Sequence, residues 1–195
     1  MMKSSGDFDQ LRNRILELSR NRQRVIIGID GPCGSGKTTL AGRLKEALPS
    51  CAVIHTDDFF LQPSMRTVER LAEPGGNMDR ERLYEEVMKR AGEKNGFTYR
   101  KYDCQTGAFS PVDVIGASIM IVEGSYSLHP DLASHYDLTV FLNIDPEEQL
   151  NRLEKRVGKE RLSRFVNEWI PLENRYFQAL GIASKADIRL NSKAL

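Results

Sequence analysis

Three features of the sequence predict an α/β fold, a parallel β-sheet sandwiched by helices in three layers. Strand-like runs alternate with stretches of helical period. The strand-like runs are continuously apolar, as strands covered on both faces must be. A glycine-rich turn, GIDGPCGSGKTTL at 28–40, follows directly on the first of them. It is too poor in side chains to serve as core, so its backbone must hold something.

The elements follow in order. Phe8, Leu11, Ile15 and Leu18 share one face of a helix over 8–20 whose arginines fall largely on the other faces. RVIIGID, 24–30, is the first strand, and TTLAGRLKEAL, 38–48, is a helix closed by Pro49. CAVIHT, 51–56, is the second strand. RERLYEEVMKRAG, 80–92, is a helix ending near Gly92, and FTYRKYD, 97–103, is extended. ASIMIVEG, 117–124, and DLTVFLNI, 137–144, are the third and fourth strands. PEEQLNRLEKRV, 146–157, opens on a proline and acids in its first turn, which the helix dipole favours. Residues 161–180 are helical with Pro171 interrupting them, and ADIRL, 186–190, is a last short strand. Residues 58–115 differ: they are polar, rich in Gly and Pro, and short of periodic runs. So long an irregular stretch in a compact domain points to function, here an insertion that builds a binding site. The expectation is a single domain over 1–195.

The totals narrow the classes. With 195 residues and 40% hydrophobic content the chain can bury a full core. Its 28 basic and 27 acidic residues leave a net charge of +1, which provides no field for nucleic acid or a membrane surface. Neither partner is expected. No apolar run approaches the roughly 20 residues of a membrane span, and the first residues lack a signal peptide's apolar stretch. Cys33, Cys51 and Cys104 are odd in number and far apart, which fits neither a disulfide framework nor a zinc site. The chain reads as cytoplasmic, and self-association is left open.

Gly31-Pro32-Cys33-Gly34-Ser35-Gly36-Lys37-Thr38 matches G-x-x-x-x-G-K-[ST] in full, with a strand before it and a helix after it. Such a P-loop turns backbone N–H groups inward around a polyphosphate, and the next helix adds its free N–H groups and positive dipole end. Gly31, Cys33, Gly34, Ser35, Gly36, Lys37, Thr38 and Thr39 are therefore the nucleotide-binding residues. Lys37 reaches the β and γ phosphates, and the Thr38 hydroxyl ligates Mg²⁺. Cys33 reads first as a small residue tolerated in the loop; the alternative is a thiol whose pKa the helix N-terminus lowers.

Ligands of open α/β sheets bind beyond the carboxyl ends of the strands. The second strand ends in His55-Thr56-Asp57-Asp58, so this acid pair lies on the phosphate side and can take a proton from a hydroxyl or bind Mg²⁺ through water. The alternative is a turn or helix cap. The third strand ends in Glu123, placed to hold a metal's water. Arg152 and Arg156, four apart, share a helix face, and Arg161 and Arg164 follow. They either neutralise charge on a transferred phosphoryl group or form a solvated face with Glu148 and Glu154. His55 and His129 read as structural.

GIDGPCGSGKTTL, TDDFF, NMDRERL at 77–83, YRKYD at 99–103 and IVEGSYSLHPDL at 121–132 together resemble the uridine kinase, phosphoribulokinase and nicotinamide riboside kinase group of P-loop kinases. The likeness spans about 24 to 190. It implies a P-loop NTPase architecture of the nucleoside/nucleotide kinase type, with ATP and Mg²⁺ as cofactors. It implies Asp57 as the base that activates the acceptor hydroxyl and Glu123 as the metal-side carboxylate. Asp79, with Arg80 beside it, matches the element that binds ribose hydroxyls, and Tyr102 matches the segment lining the nucleoside pocket. Arg152, Arg156 and Arg161 fall in a lid at about 152–165, with Arg161 on the substrate side. The histidine that follows the family's Y-D-F segment has no counterpart in Tyr102-Asp103-Cys104-Gln105-Thr106-Gly107. The expected activity is transfer of the γ-phosphoryl of Mg·ATP to a hydroxyl of a small molecule, a nucleoside foremost. Nicotinamide riboside, pantothenate, a sugar or a nucleoside monophosphate are the alternatives. A nucleotide-binding switch fits less well: Asp113-Val114-Ile115-Gly116 precedes a strand instead of following one, and no N-K-x-D appears.

Overall fold

The computed structural model describes residues 5–194. Helix α1 (Ser5–Arg20) leads into β1 (Val25–Asp30), α2 (Lys37–Ala47) and β2 (Cys51–His55). After an excursion come β5 (Ile119–Glu123), β6 (Leu138–Asn143) and β7 (Ile188–Asn191), and the five strands form one parallel sheet in the order β2-β5-β1-β6-β7. Strand β1 is central because its residues are buried on both faces. The pleat separates two cores. Val25, Ile27 and Ile29 pack under α1 and α2 with Leu11, Ile15, Leu40 and Leu44. On the other face Met120 and Val122 pack against Phe59, Tyr126 and Tyr176. The three layers of the predicted architecture are thus present, on a wholly parallel sheet.

The excursion between β2 and β5 has more structure than the sequence suggests. It holds α3 (Val68–Ala72), α4 (Arg80–Leu83) and a two-stranded antiparallel sheet of β3 (Phe97–Tyr102) and β4 (Phe109–Val114). The extended run at 97–103 is therefore half of a hairpin. Its partner is hard to see in sequence because Pro111 sits opposite Arg100, a position tolerable only on an edge. The helix expected over 80–92 is shorter: α4 passes into a single π turn at Tyr84–Met88.

After the short α5 (Pro130–Ala133) and β6, α6 (Pro146–Arg164) is two helical pieces joined at a kink at Gly158, where φ is 78° and ψ 164°, so its first piece stops where the sequence places the end, at 157. Pro171 does not interrupt the helix that follows. It sits in the first turn of α7 (Ile170–Leu180), where a missing N–H costs little, and a π turn at Phe165–Trp169 absorbs the change of register. The short α8 (Ile182–Lys185) leads to β7.

Asp30, fully buried at the end of β1, fixes the start of the glycine turn. Its carboxylate accepts from the Gly31 amide at 2.7 Å, the Leu128 amide at 3.0 Å and the Tyr176 hydroxyl at 2.9 Å. Burial lifts its pKa to about 6, while these donors and Lys37 pull it down. An Asp30→Asn change keeps the shape but turns an NH₂ toward these donors. It is expected to cost about 1–3 kcal/mol, a fall of several degrees in Tm by thermal unfolding. An unchanged Tm would show that the three donors find acceptors elsewhere.

Candidate active site

The turn from β1 to α2 has the geometry an anion needs. Gly31 has φ 148°, and a Cβ there would lie 2.3 Å from the Leu142 carbonyl oxygen. Gly36, with φ 99°, caps α2 without a side-chain bond, which leaves the first N–H groups of an eleven-residue helix directed at the loop. Lys37 folds back over it: Nζ donates to Gly31 O at 2.6 Å and Pro32 O at 3.1 Å and lies 3.4 Å from Ser125 Oγ. The Ser35 hydroxyl is buried without a partner. A wrapped backbone, a helix N-terminus, an ammonium and an orphaned hydroxyl fit a polyphosphate.

Two carboxylates face this cradle. Strand register sets Glu123 of β5 opposite Ile29 of β1 and His55 of β2. The buried Glu123 carboxylate accepts from Thr38 Oγ1 at 3.1 Å and is hydrogen-bonded to His55 Nδ1. This contact raises the His55 pKa and sets His55 beside the Thr38–Glu123 pair. Thr38 and Glu123 form the oxygen donor pair expected of a Mg²⁺ site, in which water and phosphate complete the shell. Asp57 opens the turn after β2 and lines the same cavity. It reaches solvent through the cavity mouth but is enclosed by protein on its other sides. Burial, and then the charge of Glu123, raise its pKa, against the opposing pull of Lys37 and His55. Its neighbour Asp58 turns away: buried, it accepts from Tyr99 OH at 2.7 Å and pairs with Lys101 at 3.2 Å, tying β3 to the end of β2.

The cavity, about 880 Å³, is walled by the loop, the ends of β2 and β5, the 60–77 segment and the helices α6 and α7. Cys33, Gly34, Gly36, Lys37, Thr38 and Thr39 line it, with Gly31 and Ser35 buried behind. Arg152 enters it paired with Glu148 at 2.8 Å, its guanidinium 3.5 Å from the Gly34 and Ser35 carbonyls. Arg156 enters over the Phe165 ring at 5.6 Å.

Besides Gly31 and Ser35, four sequence-predicted residues lie outside the lining. Arg161 is exposed to solvent. Asp79 is buried as the cap of α4, and its two oxygens accept from the Arg82 amide and Arg82 Nε at 3.1 Å each. Arg80 is held by Glu73 at 2.9 Å and Asp131 at 2.7 Å. Tyr102 is buried against Phe109, with ring centroids 5.1 Å apart.

Sequence reasoning missed Glu173, Ser125, Gln149 and the Asp30–Tyr176 pair. The buried Glu173 carboxylate accepts from the Cys33 amide at 2.8 Å and the Ser125 hydroxyl at 2.5 Å, and Gln149 donates to the Cys33 carbonyl at 2.8 Å. The available signal was an acid three residues before Tyr176 on a helix face that carries the core. At Cys33 burial and then Glu173 push the thiol up to about 12, the direction opposite to activation and in keeping with a small tolerated loop residue.

A family model described as "AAA domain" matches residues 27–180. Inorganic pyrophosphatase TTM2 of Arabidopsis thaliana is 32% identical over 143 residues, which cover 69% of this chain and 20% of that protein. Nicotinamide riboside kinase 2 of Mus musculus is 60% identical over 37 residues, 19% of each chain. The matched stretches thus span about a fifth of the length of these curated relatives. The solved structure of a possible uridine kinase from Bacillus stearothermophilus superposes with a TM-score of 0.69 at 24% identity, over 93% of this chain and 99% of that one. The chain belongs to the AAA-domain family of P-loop proteins and carries its loop on the fold of the uridine kinase-like P-loop kinases.

Proposed function

We propose that this chain is an ATP-dependent kinase that transfers the γ-phosphoryl of Mg·ATP to a hydroxyl of a small molecule, a nucleoside foremost. One observation carries the reading. Asp57, a carboxylate of raised pKa, opens into the same cavity as Lys37 and the Thr38–Glu123 pair. Residues 1–195 form one kinase domain, with the acceptor side built by 58–115 and a lid at about 152–165. The likeness to a riboside kinase supports a ribose hydroxyl as acceptor. Among the described residues no helix is long and apolar enough to cross a membrane. The three free cysteines suit the reducing cytoplasm, where ATP is supplied.

The chain's residues divide the work. The loop amides and Lys37 bind and orient the phosphates. Thr38 and Glu123 would hold Mg²⁺, which when bound neutralises charge on the β and γ phosphates. Asp57 accepts the proton of the acceptor hydroxyl as the acceptor oxygen bonds to the γ-phosphorus. The bond from that phosphorus to the bridging oxygen breaks, and ADP leaves. Arg152 and Arg156 neutralise charge on the group in flight, and the lid excludes water. The transition state is loose, so positioning and electrostatics contribute more than the base.

The test is coupled-enzyme detection of ADP with a panel of nucleosides, nicotinamide riboside, pantothenate and sugars. Acceptor-dependent ADP release supports the kinase, whereas the same release with water alone would replace it with a hydrolase. Lys37→Ala is expected to reduce turnover by at least about a thousandfold, on the scale of losing a charge-stabilising group at phosphoryl transfer. Asp57→Asn is expected to cut kcat by about 10²–10⁴, with a much smaller change in ATP affinity; an unchanged kcat would exclude Asp57 as the base. Only the ionised form can accept a proton, and the folded pKa lies above the ordinary Asp value. Wild-type kcat/KM should therefore fall on acidification at a higher pH than an unperturbed aspartate would dictate. In a pH–rate profile the Asn variant should lack that limb.

A further inference from the structure

We infer that the acceptor carries an anionic group, a carboxylate or a phosphate, besides the hydroxyl that is phosphorylated, and that Arg66 and Arg175 bind it. This rests on the kinase reading and narrows its substrate.

Both arginines line the cavity. Arg66 stands in the 58–115 insertion, whose Phe60, Cys104 and Gln105 line the cavity with it. Arg175 comes from α7 and faces the same segment. Each is held by backbone carbonyls, Arg66 Nε by Leu61 O at 3.1 Å and Arg175 Nη2 by Leu71 O at 2.8 Å and Glu73 O at 3.4 Å. A guanidinium has five N–H donors, so both keep donors for a ligand.

The contrast with their neighbours is what marks them. Arg70, Arg80, Arg82, Arg90 and Arg100, the other arginines of the insertion, each pair with an acid. In the cavity, Arg152 pairs with Glu148 and Arg164 with Glu168, while Arg156, the lid arginine already assigned to the transferred group, lies over the Phe165 ring. Glu73, whose backbone carbonyl meets Arg175, has its carboxylate engaged by Arg80 at 2.9 Å. Among the described residues Arg66 and Arg175 have no carboxylate partner. Each is an uncompensated charge in the cavity lining, and closure over a substrate would remove the water that screens it. A bidentate anion relieves that cost, and the guanidinium fork matches carboxylate and phosphate geometry. The groups expected to recognise a plain ribosyl acceptor are spent on packing: Asp79 on Arg82, Tyr102 on Phe109.

The experiment measures kcat/KM for phosphoryl transfer from Mg·ATP to pairs in which one member carries the anionic group and the other lacks it. Orotidine against uridine and D-glycerate against glycerol test a carboxylate; D-ribose 5-phosphate against D-ribose tests a phosphate. The expected result is a preference of about tenfold or more for the anionic member of at least one pair, the scale of one charge-assisted contact. Arg66→Gln and Arg175→Gln should each reduce that preference severalfold, and Arg66→Lys should retain most of it. Equal or greater turnover of the neutral members would overturn the inference and leave the kinase standing. So would glutamine variants that slow both members alike, because that is a structural effect. No acceptor-dependent turnover in any pair would overturn this inference together with the kinase reading.

Discussion

A turn made largely of glycines holds an inward-facing backbone only if something outside the turn binds it. Here two buried carboxylates do so. Asp30 grips the Gly31 amide from behind, and Glu173 grips the Cys33 amide from the side. Both draw on α7: Glu173 is part of it, and Tyr176, one turn on, donates to Asp30. Freezing the backbone of one residue costs about 1–2 kcal/mol, and a glycine has the most freedom to lose. These bonds offset that cost before any ligand arrives, leaving the free amides of α2 for the phosphates.

The same arrangement sets an electrostatic problem. Asp30, Glu123, Glu173 and Asp57 all lie close to a loop suited to an anion. Burial lifts the pKa of Asp30 and Asp57, and the charge of Glu123 adds to the rise at Asp57. Lys37 and the N-terminus of α2 oppose this, and each remaining acid is tied to donors: Glu123 to Thr38 and His55, Glu173 to Cys33 and Ser125. Asp57 stands apart, since its carboxylate faces the cavity. The parallel sheet explains how acids distant in sequence converge, because β1, β2 and β5 all end on the same side.

What could be read from the sequence follows from range. Strands β1, β5 and β6 were legible because burial on both faces writes a continuous apolar run, and the loop because only glycine serves its positive φ values. Asp57 and Glu123 were legible as acids at strand ends. The β4 strand was not, since it is mostly exposed and carries Pro111. Glu173 was not, since its partners lie 140 and 48 positions away. Asp79 and Tyr102 match a motif, yet in this fold Arg82 and Phe109 occupy them. A motif reports residue type, whereas the direction of a side chain depends on its neighbours.

The β3–β4 hairpin pairs only with itself and lends no strand to the central sheet. Substitutions or length changes at its tip, around Gly107, leave the hydrogen-bond ladders beneath the nucleotide loop untouched. Descendants of such a scaffold can therefore trade one recognition element for another while the phosphate machinery is inherited whole.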